Sequence, residues 1–218
     1  MTTYGRYLRA VAEGAPAERL VFFSDAVFAI AMTLLVVELR VPELEGDELG
    51  VALTRLTPQY LTFILSFAVI GVVWMSHHRK FRAITHCTQT LLRINLFLLL
   101  AVASMPFSTA VLGRYGSERL SVYIYATTIC LSGFTLSAMW IYAWHHGLVD
   151  GAVTVDVFRY VLVQSFPVPG IFLLSIPVAM LFGATAAEIT WAAALPAAAI
   201  ITRVYRALPS RTLDEGRQ

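Results

Sequence analysis

The sequence predicts an all-α, polytopic membrane protein with six transmembrane helices. Three observations carry that expectation. The 218 residues are 58% hydrophobic and only 14% charged, against about 25% charged in soluble domains. The apolar residues fall into six segments, each near the ~20 residues that a helix rising 1.5 Å per residue needs to cross the hydrocarbon. Of 16 Lys and Arg residues, only Arg40, Arg55, Arg114 and Arg119 fall opposite the N-terminus once those segments are threaded. Cationic flanks stay in the cytoplasm, so the N-terminus is inside. An even number of spans then puts both termini there, in a multi-pass protein of the cell membrane.

The first segment covers 20–39 and stops at Val41-Pro42, because Pro cannot continue a helix. A short acidic loop follows, with Glu43, Glu45, Asp47 and Glu48. The second covers 57–77, with Pro58 in its first turn, where a missing N–H costs nothing. It ends in Arg79, Lys80, Phe81 and Arg82. The third covers 91–112, with Pro106 predicting a kink. The fourth covers 120–144, and its Trp140 and Trp144 suit an interfacial belt. The fifth, 157–182, is interrupted by Pro167, Pro169, Gly170 and Pro177. The sixth, 187–205, is rich in Ala and contains Pro196. Residues 1–210 thus read as one six-helix domain and 211–218 as a cytoplasmic tail. Residues 1–18 are polar and lack the apolar stretch of a signal peptide. Cys87 and Cys130 fit no metal or disulfide spacing and read as small apolar fillers. No basic cluster sits on a soluble domain, so a nucleic-acid partner is not expected.

The first segment holds the residues of most chemical interest. Asp25 stands near its start, where a charge close to hydrocarbon costs up to roughly 2.5–3.5 kcal/mol and calls for a partner. Arg19 lies less than two turns away, and Ser24 can hydrogen-bond to its own helix or a neighbour. Beyond Asp25, steps of three and four place Ile30, Thr33, Leu34 and Val37 on one stripe. Nearly every position here is apolar, so periodicity alone does not separate a pathway wall from a packing face. The second constellation is Trp74, His77 and His78, at the inner end of the second segment and at the depth of Arg19, Ser24 and Asp25. Arg19, His77 or His78 could pair with Asp25, and the Trp74 indole N–H could donate to it. Arg93 and Asn95 are within range of the same inner network.

Arg19-x-x-x-Phe23-Ser24-Asp25 resembles the R-x-x-x-F-S-D signature on the first helix of the transmembrane protein 175 family. The Ala31-x-Thr33-Leu34-Leu35 continuation, the Trp…His-His after it and the six-helix layout are also similar to its prokaryotic members. The resemblance implies a potassium-permeable cation channel in which first helices line a central pore. For a chain with one six-helix repeat it implies a homotetramer, with monovalent cations and the lipid bilayer as its other partners. It implies a constriction at Ile30, Leu34 and Val37 and a selectivity layer of hydroxyls at Thr33. It also implies a structural polar network of Arg19, Phe23, Ser24, Asp25, Trp74, His77 and His78. No cofactor is implied beyond permeant potassium ions. No Thr-Val-Gly-Tyr-Gly filter occurs. Glu38 with Glu43, Glu45, Asp47 and Glu48 would form an acidic outer mouth that raises local cation concentration over about 8 Å at physiological salt.

A proton-coupled or other secondary cation transporter is the main alternative, with the proline-broken fifth segment in its favour. It calls for more ionisable groups at mid-membrane than the sequence holds. An enzyme is not expected. Ser24, Asp25 and His77 contain triad residue types, but adjacent Ser and Asp on one helix point about 100° apart and no oxyanion-hole loop follows.

Overall fold

The computed structural model describes residues 15–39, 49–193, 200 and 203. Nine helices and a two-residue strand pair are formed among them. The first helix, α1 (Glu18–Val37), is followed by a short α2 (Leu49–Arg55) that the hydropathy did not predict. Helix α3 (Thr57–Phe81) starts with Pro58 in its first turn, as expected, and runs one turn past the sequence boundary. The third segment divides into α4 (Gln89–Ala103) and α5 (Met105–Tyr115), separated at Ser104. Pro106 therefore stands in the first turn of a new helix, where its missing N–H costs nothing. Helix α6 (Arg119–His145) is unbroken. The fifth segment is also two helices, α7 (Val155–Val163) and α8 (Pro167–Phe182), with α8 starting on Pro167 and carrying Pro177 inside it. After Gly183, at φ 94°, α9 (Ala184–Trp191) begins the sixth segment. The rest of that segment lies outside the described residues apart from 200 and 203.

Among the described residues, five stretches are long and apolar enough to cross a membrane: Glu18–Val37, Thr57–Phe81, Gln89–Tyr115, Arg119–His145 and Val155–Phe182. Helix α6 is the axis of the core, burying Val122, Tyr125, Ile129, Leu136, Met139 and Trp140. Trp140 is thus no interfacial residue: it is wholly enclosed, and its indole N–H donates to the Phe158 carbonyl at 3.2 Å. The close crossing of α6 and α8 depends on Gly133. A Cβ there would lie 2.7 Å from two Pro169 ring atoms, and a proline ring cannot swing away. Gly133→Ala is expected to cost ~1–3 kcal/mol of stability by overpacking, read as a lower denaturation temperature of the purified protein.

The ends of several helices on the side where α1 begins, called inner below, are tied together by backbone hydrogen bonds. β1 (Ala15–Pro16) pairs antiparallel with β2 (His86–Cys87), in the register Ala15↔Cys87. The same α3–α4 connection meets the α6–α7 connection, where Thr85 N–H donates to Leu148 and Asp150 N–H to Ala83. Cys87 and Cys130 are free and buried, in keeping with a filler role, and burial pushes the Cys87 thiol up.

Candidate pore helix and its anchoring network

Helix α1 has two unlike faces. Leu20, Ser24, Phe28, Ala31 and Leu35 follow steps of four and three and are buried, packed against α3, α4 and α5. Ile30, Leu34 and Val37 lie on the other side and are 58%, 45% and 65% exposed. Thr33 is exposed beside them, and its hydroxyl donates to the Ile30 carbonyl at 2.9 Å. That bond commits the only hydroxyl proton to the helix backbone. The remaining lone pairs of Oγ1 are left as acceptors on the exposed face.

The buried face is held at its inner end by a relay of side chains. Ser24 Oγ donates to the Leu20 carbonyl at 2.8 Å and accepts from Asn95 Nδ2 at 3.0 Å. Asn95 Oδ1 meets His77 Nε2 at 3.0 Å. An amide oxygen only accepts, so His77 carries its proton on Nε2 and donates. The opposite nitrogen, Nδ1, is buried with no hydrogen-bond partner. The imidazole is wedged between the Phe28 and Phe81 rings, at centroid distances of 5.5 and 4.5 Å. Ser24, His77 and Asn95 are all fully enclosed. One turn along, Trp74 Nε1 donates to Asp25 Oδ1 at 2.8 Å, and His78 packs against the Trp74 ring at 5.8 Å.

Two residues expected in this network stand outside it. Asp25 is satisfied by the Trp74 indole, and among the described residues Arg19 makes no ion pair with it. Six residues of α-helix turn the two side chains about 120° apart, which sends exposed Arg19 to a different face. Phe23 is 54% exposed on the outward side and contributes no polar contact. Arg93 is likewise exposed. Glu38 is exposed at the end of α1, whereas Glu43, Glu45, Asp47 and Glu48 lie outside the described residues.

A further inner tie has only a faint sequence signal. Lys80, within the basic run that ends α3, is 1% exposed. Its ammonium donates to Ser76 Oγ and Ser165 Oγ, both at 2.8 Å. Beside it Arg79 donates to Gln164 Oε1 at 3.0 Å. The break between α7 and α8 is thereby pinned to the end of α3. A mid-membrane hydroxyl cluster also forms, in which Thr109 Oγ1 lies 2.8 Å and Tyr125 OH 2.9 Å from Ser66 Oγ. Among the described residues, no group of three or more His, Cys, Asp or Glu side chains is placed to hold a metal ion.

The comparisons with known proteins fall on the same helices. The family model described as endosomal/lysosomal potassium channel TMEM175 matches residues 19–106. A protein from Streptomyces collinus named as a potassium channel is 35% identical over 132 residues, covering 58% of this chain and 63% of that one. The human protein named endosomal/lysosomal proton channel TMEM175 is 30% identical over 142 residues, 59% of this chain and 28% of its own length. The chain thus spans a little under two thirds of the bacterial relative and a smaller share of the human one. Among solved structures, a lysosomal potassium-selective channel TMEM175 homolog from Chamaesiphon minutus superposes with a TM-score of 0.71 at 28% identity, covering 85% of this chain and 97% of that one. The matched stretch contains nearly all of α1 and both helices that anchor it, and over that stretch the chain is similar to the TMEM175 family.

Proposed function

We propose that the chain is a potassium-permeable cation channel, not an enzyme, in which four copies surround a pore lined by α1. The observation that carries this is the free face of α1. A helix anchored along one side by Ser24, Asp25, Phe28 and Leu35 leaves Ile30, Thr33, Leu34 and Val37 exposed among the described residues. Fourfold repetition would make Ile30 and Leu34 apolar rings that close by dewetting, with Val37 a wider one. Between them, four Thr33 oxygens with committed protons would replace part of a cation's hydration shell. The names of the bacterial relative and of the Chamaesiphon minutus homolog support potassium as the permeant ion. The charge asymmetry supports a cell-membrane protein with both termini cytoplasmic, a six-helix domain over 1–210 and a tail over 211–218.

Reconstitution into planar bilayers tests the proposal. A channel gives discrete single-channel steps, whereas saturating flux coupled to a second ion would establish the transporter alternative. The human relative's name favours proton permeation as a second activity, measured as a shift of reversal potential under a pH gradient. Thr33→Val preserves shape and removes the acceptor ring. It is expected to lower the potassium-over-sodium permeability ratio by up to about tenfold, or ~1.4 kcal/mol. An unmoved reversal potential would assign selectivity to the aliphatic rings instead.

A further inference from the structure

The free face of α1 runs on past Ile30 to the inner end of the helix. Eighteen residues are about five full turns of α-helix, so Arg19 lies in line with Val37 at the opposite end. Phe23 and Ala26 fall between Arg19 and Ile30 on the same stripe, at steps of four and three. All three are exposed. The helical phase at this end is fixed. Arg19 lies within α1, Val21 N–H donates to the Ala17 carbonyl at 3.0 Å, and Ala17 and Leu20 are buried on either side of it. The β1–β2 pair holds the residues just before the helix. Among the described residues, Arg19 is the one charge on the stripe. Glu18 projects about 100° from it and Asp25 about 120°, and Asp25 is held by the Trp74 indole. No described residue makes a hydrogen bond or ion pair with the Arg19 side chain. A cation in the first turn also opposes the helix dipole, so the guanidinium adds nothing to the stability of α1 itself.

We propose that Arg19 sets the direction of easy current: four guanidinium groups ring the inner mouth of the pore and oppose the entry of cations from that side. The proposal rests on the reading of α1 as the pore helix. Arg19 is ~16 Å of helix rise from Ile30, about two screening lengths at physiological salt. The ring therefore acts on entry and not on the constriction, and Phe23 and Ala26 between them carry no charge to offset it. Four unit charges ~10 Å from an ion in water lower the local cation concentration about twofold at ~0.15 M ionic strength, where screening acts over ~8 Å. At ~0.01 M, where it acts over ~30 Å, the reduction is about sevenfold. Cations from the outer end reach the ring only after the constriction. The wild-type current therefore rectifies inward, more steeply as salt falls.

The test is rectification. Unitary currents are recorded in excised inside-out patches, which fix the orientation, in symmetrical KCl at those two ionic strengths. Arg19→Gln is expected to raise the outward current about twofold at ~0.15 M and about sevenfold at ~0.01 M, and to change the inward current little. Arg19→Glu should reverse the rectification at low salt, and Arg19→Lys, which keeps the charge, should keep that of wild type. Ile30→Asn is recorded alongside as the test of the pore itself. If it raises conductance while Arg19→Gln and Arg19→Glu rectify as wild type does, the proposal is overturned, and Arg19 faces lipid headgroups beside a pore that stands. If Ile30→Asn also leaves the current unchanged, the pore reading of α1 fails and the proposal with it.

Discussion

Ile30→Asn is expected to raise single-channel cation conductance several-fold without loss of the folded protomer. Ile30 is 58% exposed on the free face of α1, so the change removes little protomer packing. In a pore, four amides in place of four sec-butyl groups would hold water at the narrowest level and lower the dewetting barrier. The contrasting variant is Leu35→Asn, five residues on and fully enclosed. There the amide would be buried among apolar neighbours without partners, a penalty of about 1–3 kcal/mol in addition to lost packing, and the protein should destabilise rather than conduct better. Single-channel recording of the first and a thermal melt of the second check the pair. Unchanged current in Ile30→Asn would mean that ions pass elsewhere than along this face.

Asn95→Leu is expected to cost ~2–4 kcal/mol of stability, one of the largest effects available without making a cavity. Leucine keeps the branched skeleton of asparagine but is larger, so slight overpacking adds to the lost hydrogen bonds. Asn95 joins Ser24 on α1 to His77 on α3. Without it the buried Nε2–H of His77 is orphaned and Ser24 loses its donor, each orphan costing about 1–3 kcal/mol. Because Ser24 fixes the inner end of α1, the variant should also release the proposed tetramer at a lower temperature in size-exclusion chromatography. A melt equal to wild type would show that packing of Phe28, Ala31 and Leu35 alone holds the helix.

The two variants bear on opposite sides of α1, one directly and one through Ser24, and the sequence could not tell those sides apart. Alternation between polar and apolar positions shows which way a soluble helix faces. In α1 nearly every position is apolar, because lipid, neighbouring helices and a gate all accept Val, Leu and Ile. The stripe at Ile30, Thr33, Leu34 and Val37 was therefore visible as a stripe but not as a free one. Ser24 carried the same ambiguity, since its partner Asn95 is 71 residues away. Lys80 looked like one more interfacial cation in a basic run, and its burial follows from the α7–α8 break packing over it. The Arg19–Asp25 pair looked plausible by proximity in sequence and failed on helical phase.

By itself the sequence determined that the chain is helical and built for a membrane. It also set where most spans run and which end of α1 meets Trp74 and the histidines. Hydropathy and the exclusion of charge from hydrocarbon act residue by residue, so they are legible in one dimension. The prolines of the third and fifth segments marked their breaks in the sequence, and the tertiary structure showed each break as a division into two helices. The tertiary structure alone decided that Trp74, not Arg19, holds Asp25, and which face of the first helix is left open. Those outcomes depend on which side chains from distant segments meet across a helix, and a pattern of uniformly apolar residues does not encode that.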